Sequence, residues 1–250
     1  MCMRNWFESK EEGCITPELF KLILDQCVPY SIKLNWRGEP MLNKGLVYMI
    51  KYAKKKGVHE VSFNTNGLLL NQENTTQLAN SGLDWLIISV DGATKTTYEK
   101  IRIGGSFEKL VKNIMMADMI FSQVKNSPKI RLQICKQPLN EHEIKLWRFS
   151  FGRFADQLRV GRLFNPQGKG SQDVEQPDTC YQPWQRMTIA WNGDIYPCPS
   201  DYLGSYKLGN INDTTIYEAW HSQVFNFLRT RLSSCGRGMT PLCYNCSSYC

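Results

Sequence analysis

Long apolar runs are missing from this chain. No segment reaches the ~18 apolar residues that a bilayer span requires, and the first twenty residues lack the apolar stretch of a secretion signal. A membrane-spanning or exported protein is therefore not expected, and the expectation is a cytoplasmic one. Long basic runs are missing as well. The net charge is +7, from 30 basic and 23 acidic residues, but Lys54-Lys55-Lys56 reads as the solvated end of a helix before Gly57. Without interleaved basic and aromatic residues or a binding motif, nucleic acid is not an expected partner. Histidine is scarce: His59, His142 and His221 are the three, none in a partner motif, so each reads as structural or exposed.

Cysteine, by contrast, is plentiful. Ten cysteines without an export signal suit a reducing compartment, where paired thiols bind metal more often than they form disulfides. Twelve residues separate Cys180 from Gly193, and four separate Gly193 from Cys198 in the run WNGDIYPC. Cys243-Tyr-Asn-Cys246 adds a closely spaced pair. Four thiolates are what a [4Fe–4S] cluster or a structural zinc demands, and spacing alone leaves both open. Cys14 and Cys235 read as spare thiols, while Cys27 and Cys135 fall on apolar faces and read as small core residues.

The first two thirds alternate between strand-like and helix-like segments. Thr16 caps and Pro17 opens a helix with Leu19, Phe20, Ile23, Leu24 and Cys27 on one face. Strands are predicted at 31–36, 58–64, 85–90, 129–135 and 157–162, with helices at 44–56, 73–80, 107–122 and 141–151. Such βα repetition implies a parallel sheet, doubly wound or curved into a barrel. From residue 165 the texture changes: 165–178 reads as a polar linker. Asn192-Gly193 suits a type I′ hairpin turn. Thr215 and Glu218 form a capping box for one helix to about Leu232, with Ile216, Trp220, Phe227 and Leu228 on one face. The expected division is 1–164 and 165–250, the second unit pinned by metal.

Ligands in parallel α/β folds gather at the carboxyl ends of strands. Three successive ends here carry Arg37-Gly38-Glu39-Pro40, Asn64-Thr65-Asn66-Gly67 and Ser89-Val90-Asp91-Gly92. Gly38 would let backbone approach a ligand, Glu39 could accept from a ligand ammonium, and Asp91 from ribose hydroxyls.

These strand ends, with the Cys180–Cys198 spacing and Gly209-Asn210-Ile211 before Trp220-His221, resemble the radical S-adenosylmethionine (AdoMet) enzymes bearing a C-terminal SPASM or shorter twitch domain. The resemblance implies a partial (β/α)6 TIM-like barrel lacking its first strand, followed by a small cysteine-ligated SPASM/twitch domain. It implies AdoMet contacts from Gly38, Glu39, Pro40, Asn66, Ser89 and Asp91. It also implies an auxiliary [4Fe–4S] cluster on Cys180, Cys198, Cys243 and Cys246, and favours iron–sulfur over zinc. In Met1-Cys2-Met3-Arg4, Cys2 resembles the last cysteine of the family's CxxxCxxC loop. The first two ligands are then expected to have been left out by an internal start or by truncation, or else truly lost. Cys250 has the wrong spacing for a further ligand. The implied activity is an oxidoreductase that generates a 5′-deoxyadenosyl radical to oxidise a sugar or cyclitol alcohol, with flavodoxin or ferredoxin as electron donor. Peptide modification by a maturase and a non-catalytic iron–sulfur or zinc scaffold are the alternatives.

Overall fold

The computed structural model describes residues 12–162, 180–244 and 246. Cys2 and the stretch 165–178 lie outside them. The described residues separate into two compact units, one formed by 28–162 and the other combining 12–27 with 180–244 and 246.

The first unit is a parallel sheet of β1 (Ser31–Lys33), β2 (Glu60–Thr65), β3 (Trp85–Ser89), β4 (Lys129–Lys136) and β5 (Gln157–Arg162). Its strands lie in the order β1-β2-β3-β4-β5. A doubly wound sheet would reverse that order at a switch point; sequential order is the arrangement of a barrel wall. Between the strands run α2 (Leu46–Lys55), α3 (Gln72–Ala79), α4 (Lys95–Ile101), α5 (Phe107–Ser122) and α6 (Ile144–Phe151). One row of sheet residues, Phe63–Leu86–Ile130 in register with Ile88–Leu132 beside it, is buried with Met49 and Ile50 of α2 and Leu110 and Ile114 of α5. Each such side chain contributes roughly 1.5–3 kcal/mol on leaving water. The opposite face is polar: Asn64, Ile87, Arg131 and Gln157 form one row, and Ser89, Gln133 and Arg159 the next. Parallel sheets are ordinarily apolar on both faces, so this one presents a polar wall.

The second unit begins with α1 (Pro17–Gln26), capped by Thr16 as expected. The division at 164/165 assigns this helix to the barrel, but Leu19 and Ile23 pack against Ile195, Leu208, Phe225, Leu228 and Leu232. Gln26 also accepts a hydrogen bond from the Ile216 amide at 2.9 Å. Cys27 is exposed, not a core residue, because the helix ends there and its amide closes on Ile23. The rest of this unit comprises α7 (Gln182–Gln185), an antiparallel sheet of β6 (Thr188–Ile189), β7 (Asp194–Tyr196) and β8 (Gly209–Asn210), then α8 (Ile216–Trp220) and α9 (Gln223–Cys235).

Two local expectations change. Ile189 pairs with Ile195, and Ala190 donates to Asp194, so the hairpin loop holds three residues and not two. Gly193 alone takes positive φ, at 91°, where type I′ needs both turn residues there. The single expected helix is two. The Thr215–Glu218 capping box forms, but the chain turns at His221 and Ser222 caps a fresh start through the Phe225 amide. The restart changes phase, burying Phe225, Leu228 and Leu232 and leaving Phe227 exposed.

Candidate metal centre and strand-end site

Cys180, Cys198, Cys243 and Cys246 are all buried, between 5% and 8% exposed, and line one cavity. Each arrives by a separate device. Cys180 immediately precedes the turn into α7. Cys198 follows β7, and its carbonyl accepts the Asp201 amide at 3.2 Å. Asp201 is itself buried and accepts from the Ser205 and Tyr206 amides, both at 2.8 Å, which fixes that loop. The last two sit on a tight turn in which Thr240 accepts from Cys243 and Tyr244, and Cys243 accepts from Cys246 at 3.0 Å. Leu228 of α9 supplies an apolar wall, and Arg229 ties α9 to α7 through the Pro183 carbonyl at 3.0 Å.

Burial pushes the Cys198 thiol up to about 11, with Cys246 adding to the effect and the amides of Ser200 and Asp201 opposing it. Burial first, then Cys198, Cys180 and Cys246, pushes Cys243 up to about 12, opposed by Arg237. The four thiols thus feel one another, and holding them as thiolates requires a cation among them. Among the described residues, no three His, Cys, Asp or Glu side chains are spaced to grip a single ion. Four thiols on one cavity are the donor set of a [4Fe–4S] cluster, with one sulfur per iron, as they are of a tetrahedral zinc. Cys14 and Cys235 are exposed and Cys135 lies on the polar sheet wall, so none of the three joins this group.

In the first unit the structure places the strand-end residues side by side. β1 ends at Lys33, earlier than expected, because the Asn35 side chain takes over by accepting from the Asn64 amide at 2.9 Å. Glu39 caps a short 3-10 turn, Pro40–Leu42. Its carboxylate accepts from Thr65 Oγ1 at 2.7 Å, the Asn66 amide at 2.8 Å and the Met41 amide at 3.2 Å. Three of roughly four lone-pair positions are used and one remains. A Cβ at Gly38 would meet nothing within 4 Å, so packing inside the protein does not require glycine there. Gly38 leaves room for an incoming molecule beside a carboxylate with one acceptor position left, which fits the amino end of AdoMet. The Asn66 side chain accepts from the Leu68 amide at 2.8 Å and shapes the turn into Gly67.

Ser89 is half-buried, its Oγ bonded to Gln133 Nε2 at 3.2 Å. Asp91, expected beside the ribose, is 0% exposed: Oδ2 is gripped by Arg102 Nε at 2.7 Å and Nη2 at 2.6 Å, and Oδ1 by the Cys135 amide at 2.8 Å. So held, it braces the loop. Asn140 completes the brace by donating to the Asp91 and Cys135 carbonyls. Glu143 anchors the following residues through Ala93, Thr94 and Thr97. Sequence reasoning missed Gln133, Arg102, Asn140 and Glu143. Only Gln133 had a signal: polar residues alternate with apolar ones in KIRLQICK, which a parallel strand should not show.

Comparison with known proteins finds two family domains in the chain. Residues 37–124 match the radical SAM superfamily, and 180–247 match the SPASM iron–sulfur cluster-binding domain. An S-adenosyl-L-methionine-dependent 2-deoxy-scyllo-inosamine dehydrogenase of Niallia circulans is 21% identical over 99% of this chain and 86% of its own. A cofactor-modifying protein for the tungsten-containing aldehyde ferredoxin oxidoreductase of Pyrococcus furiosus is 22% identical over 99% of this chain and 83% of its own. The structure of BtrN with AdoMet and 2-DOIA superposes with a TM-score of 0.65 at 19% identity, covering 99% of this chain and 86% of that one. AdoMet-bound anSMEcpe gives 0.66 at 15% identity, covering 97% and 84%.

The polar-walled parallel sheet and the four-thiol unit are therefore those of a radical SAM enzyme. The chain carries a radical SAM domain over 37–124 and a SPASM iron–sulfur cluster-binding domain over 180–247, and together these imply AdoMet and [4Fe–4S] as its cofactors.

Proposed function

We propose that this enzyme oxidises an alcohol carbon of a sugar or cyclitol, with Cys180, Cys198, Cys243 and Cys246 holding an auxiliary [4Fe–4S] cluster. The observation that carries the reading is the convergence of exactly those four thiols, all buried, on one cavity. Similarity to the cyclitol-oxidising dehydrogenase over nearly the whole chain supports the substrate class. When bound, the cofactors supply a hydrogen-abstracting 5′-deoxyadenosyl radical and an acceptor for the electron left on the substrate.

The chain's own residues bind and orient. Gly38 and Glu39 receive the methionine end of AdoMet, with Pro40, buried at the head of its turn, fixing the loop. Asn66 and Ser89 border the cofactor, and Asp91 holds its loop in place through Arg102. Gln133, next to Ser89 on the polar wall, faces the substrate side. The one-electron donor is a flavodoxin or ferredoxin.

The test uses the protein reconstituted anaerobically with iron and sulfide, supplied with AdoMet and reduced. Cyclitols or sugars are expected to stimulate 5′-deoxyadenosine formation and to yield a ketone. Stimulation by peptides alone would overturn the substrate class in favour of the maturase reading.

A further inference from the structure

The polar face of the sheet is built in rows. Above a base row of Lys33, Ser62, Trp85 and Lys129 lie Asn64, Ile87, Arg131 and Gln157, and above those Ser89, Gln133 and Arg159. These three rows hold four cations and no acid. Glu60 begins β2 below them, and Asp91, above, is committed to Arg102. Closed β/α barrels fill this side of the wall with bulky apolar side chains. Here it is polar and positive.

The cations are not used alike. The Trp85 ring centroid lies 4.5 Å from the Arg131 guanidinium carbon and 5.6 Å from Lys129 Nζ, and Arg131 Nε donates to Gln157 Oε1. Burial first, and then Arg159 beside it, hold Arg131 below its usual pKa, with Glu60 opposing. Arg159 is exposed on this wall and, among the described residues, makes no hydrogen bond, ion pair or ring contact. It stands in register with Gln133, whose Nε2 reaches Ser89 Oγ at 3.2 Å. Arg159 therefore continues the side of the wall that Gln133 gives to the substrate. A surface of one sign raises the local concentration of oppositely charged ligands. A guanidinium fork with no acceptor from the protein matches a carboxylate or a phosphate through two parallel hydrogen bonds.

We infer that Arg159 is a specificity-determining residue that binds an anionic group of the substrate, a carboxylate or a phosphate, so that the sugar or cyclitol oxidised is an acidic one. This assignment rests on the proposed oxidation of such an alcohol and narrows its substrate class. Glu39 follows β1, at the opposite edge of the sheet from β5, which sets this anion apart from the methionine carboxylate of AdoMet.

The experiment uses the full chain, reconstituted anaerobically with iron and sulfide, and reads binding and turnover separately. Binding is measured by equilibrium dialysis in the presence of AdoMet, with hexuronates, hexose phosphates, amino sugars and unmodified hexoses as probes. The parent protein is expected to prefer acidic probes roughly tenfold or more, and the tighter acidic class identifies the anion as carboxylate or phosphate. Arg159→Gln should erase that preference while leaving unmodified hexoses, AdoMet affinity and melting temperature as they were. Arg159→Lys should keep part of it. In turnover, read as 5′-deoxyadenosine and ketone, Arg159→Gln should raise KM for acidic sugars about tenfold with kcat little changed. A parent that prefers unmodified or amino sugars would overturn the inference, as would an Arg159→Gln protein that weakens acidic and neutral probes alike. A loss of AdoMet affinity of about tenfold in Arg159→Gln would also overturn it, by assigning the arginine to the cofactor. If acidic sugars bind through Arg159 but no sugar is oxidised, the proposed reaction falls and the anion site stands.

Discussion

At the scale of single residues, the carboxylates that follow β1 and β3, on either side of β2, differ in how far they are withdrawn from solvent. Asp91 spends its oxygens on Arg102 and the Cys135 amide and is fully buried. Asp91→Ala would leave a largely buried guanidinium without its counter-charge, at a cost of about 3–5 kcal/mol in urea unfolding. Glu39 retains one acceptor position. Glu39→Ala is therefore expected to weaken AdoMet binding about tenfold, or ~1.4 kcal/mol, by equilibrium dialysis. An unchanged affinity would remove Glu39 from the site. Both residues were visible in the sequence as turn carboxylates. Nothing in the sequence separated them, because the difference lies in Arg102, eleven residues on, and in a backbone amide on another strand.

At the scale of elements, the loop after β3 is held by a glutamate from the loop after β4. Burial would raise the Glu143 carboxyl, but hydrogen bonds from the Thr97 and Thr94 hydroxyls and the Ala93 and Thr94 amides outweigh it and hold the group below its usual range. A lowered native pKa means that the stabilisation is complete above the unfolded-state value and is lost as pH falls through the native one. Glu143→Gln should thus be less stable than the parent at neutral pH. The gap should narrow as urea unfolding is repeated at pH values below the ordinary carboxylate range; a constant gap would refute this account. The strands were legible because apolar runs punctuated by Gly, Asn and Asp leave little choice. The break between α8 and α9 was not, since Ser222 reads as an ordinary polar helix position until Phe225 and Leu228 choose which side is buried. The hairpin was half legible: Asn-Gly marked the turn, and strand register decided its length.

At the scale of the whole chain, the second unit places buried thiols where a larger apolar core would otherwise be. Removing the metal with a chelator should lower the melting temperature of that unit, followed through the fluorescence of Trp184, Trp191 and Trp220 in a variant whose Trp6, Trp36, Trp85 and Trp147 are replaced. Leu228→Ala should cost about 2–5 kcal/mol and reduce iron retention, because Leu228 belongs both to the core and to the cavity wall. Four of the cysteines could be grouped from spacing, but their convergence depends on turns set by Asp201, Thr240 and Arg237, whose Nη2 donates to the Cys246 carbonyl at 2.7 Å. None of those residues belongs to a cysteine pattern, which is why Arg237 escaped notice.

Helix α1 leaves the ribosome before the whole of the first unit, yet Leu19 and Ile23 find their resting place only against residues 195–232. An apolar stripe therefore waits, uncovered, while the parallel sheet is synthesised behind it. A fragment starting at residue 180 would lack this helix and should be less soluble and hold its metal more weakly than one supplied with 12–27 as a separate peptide.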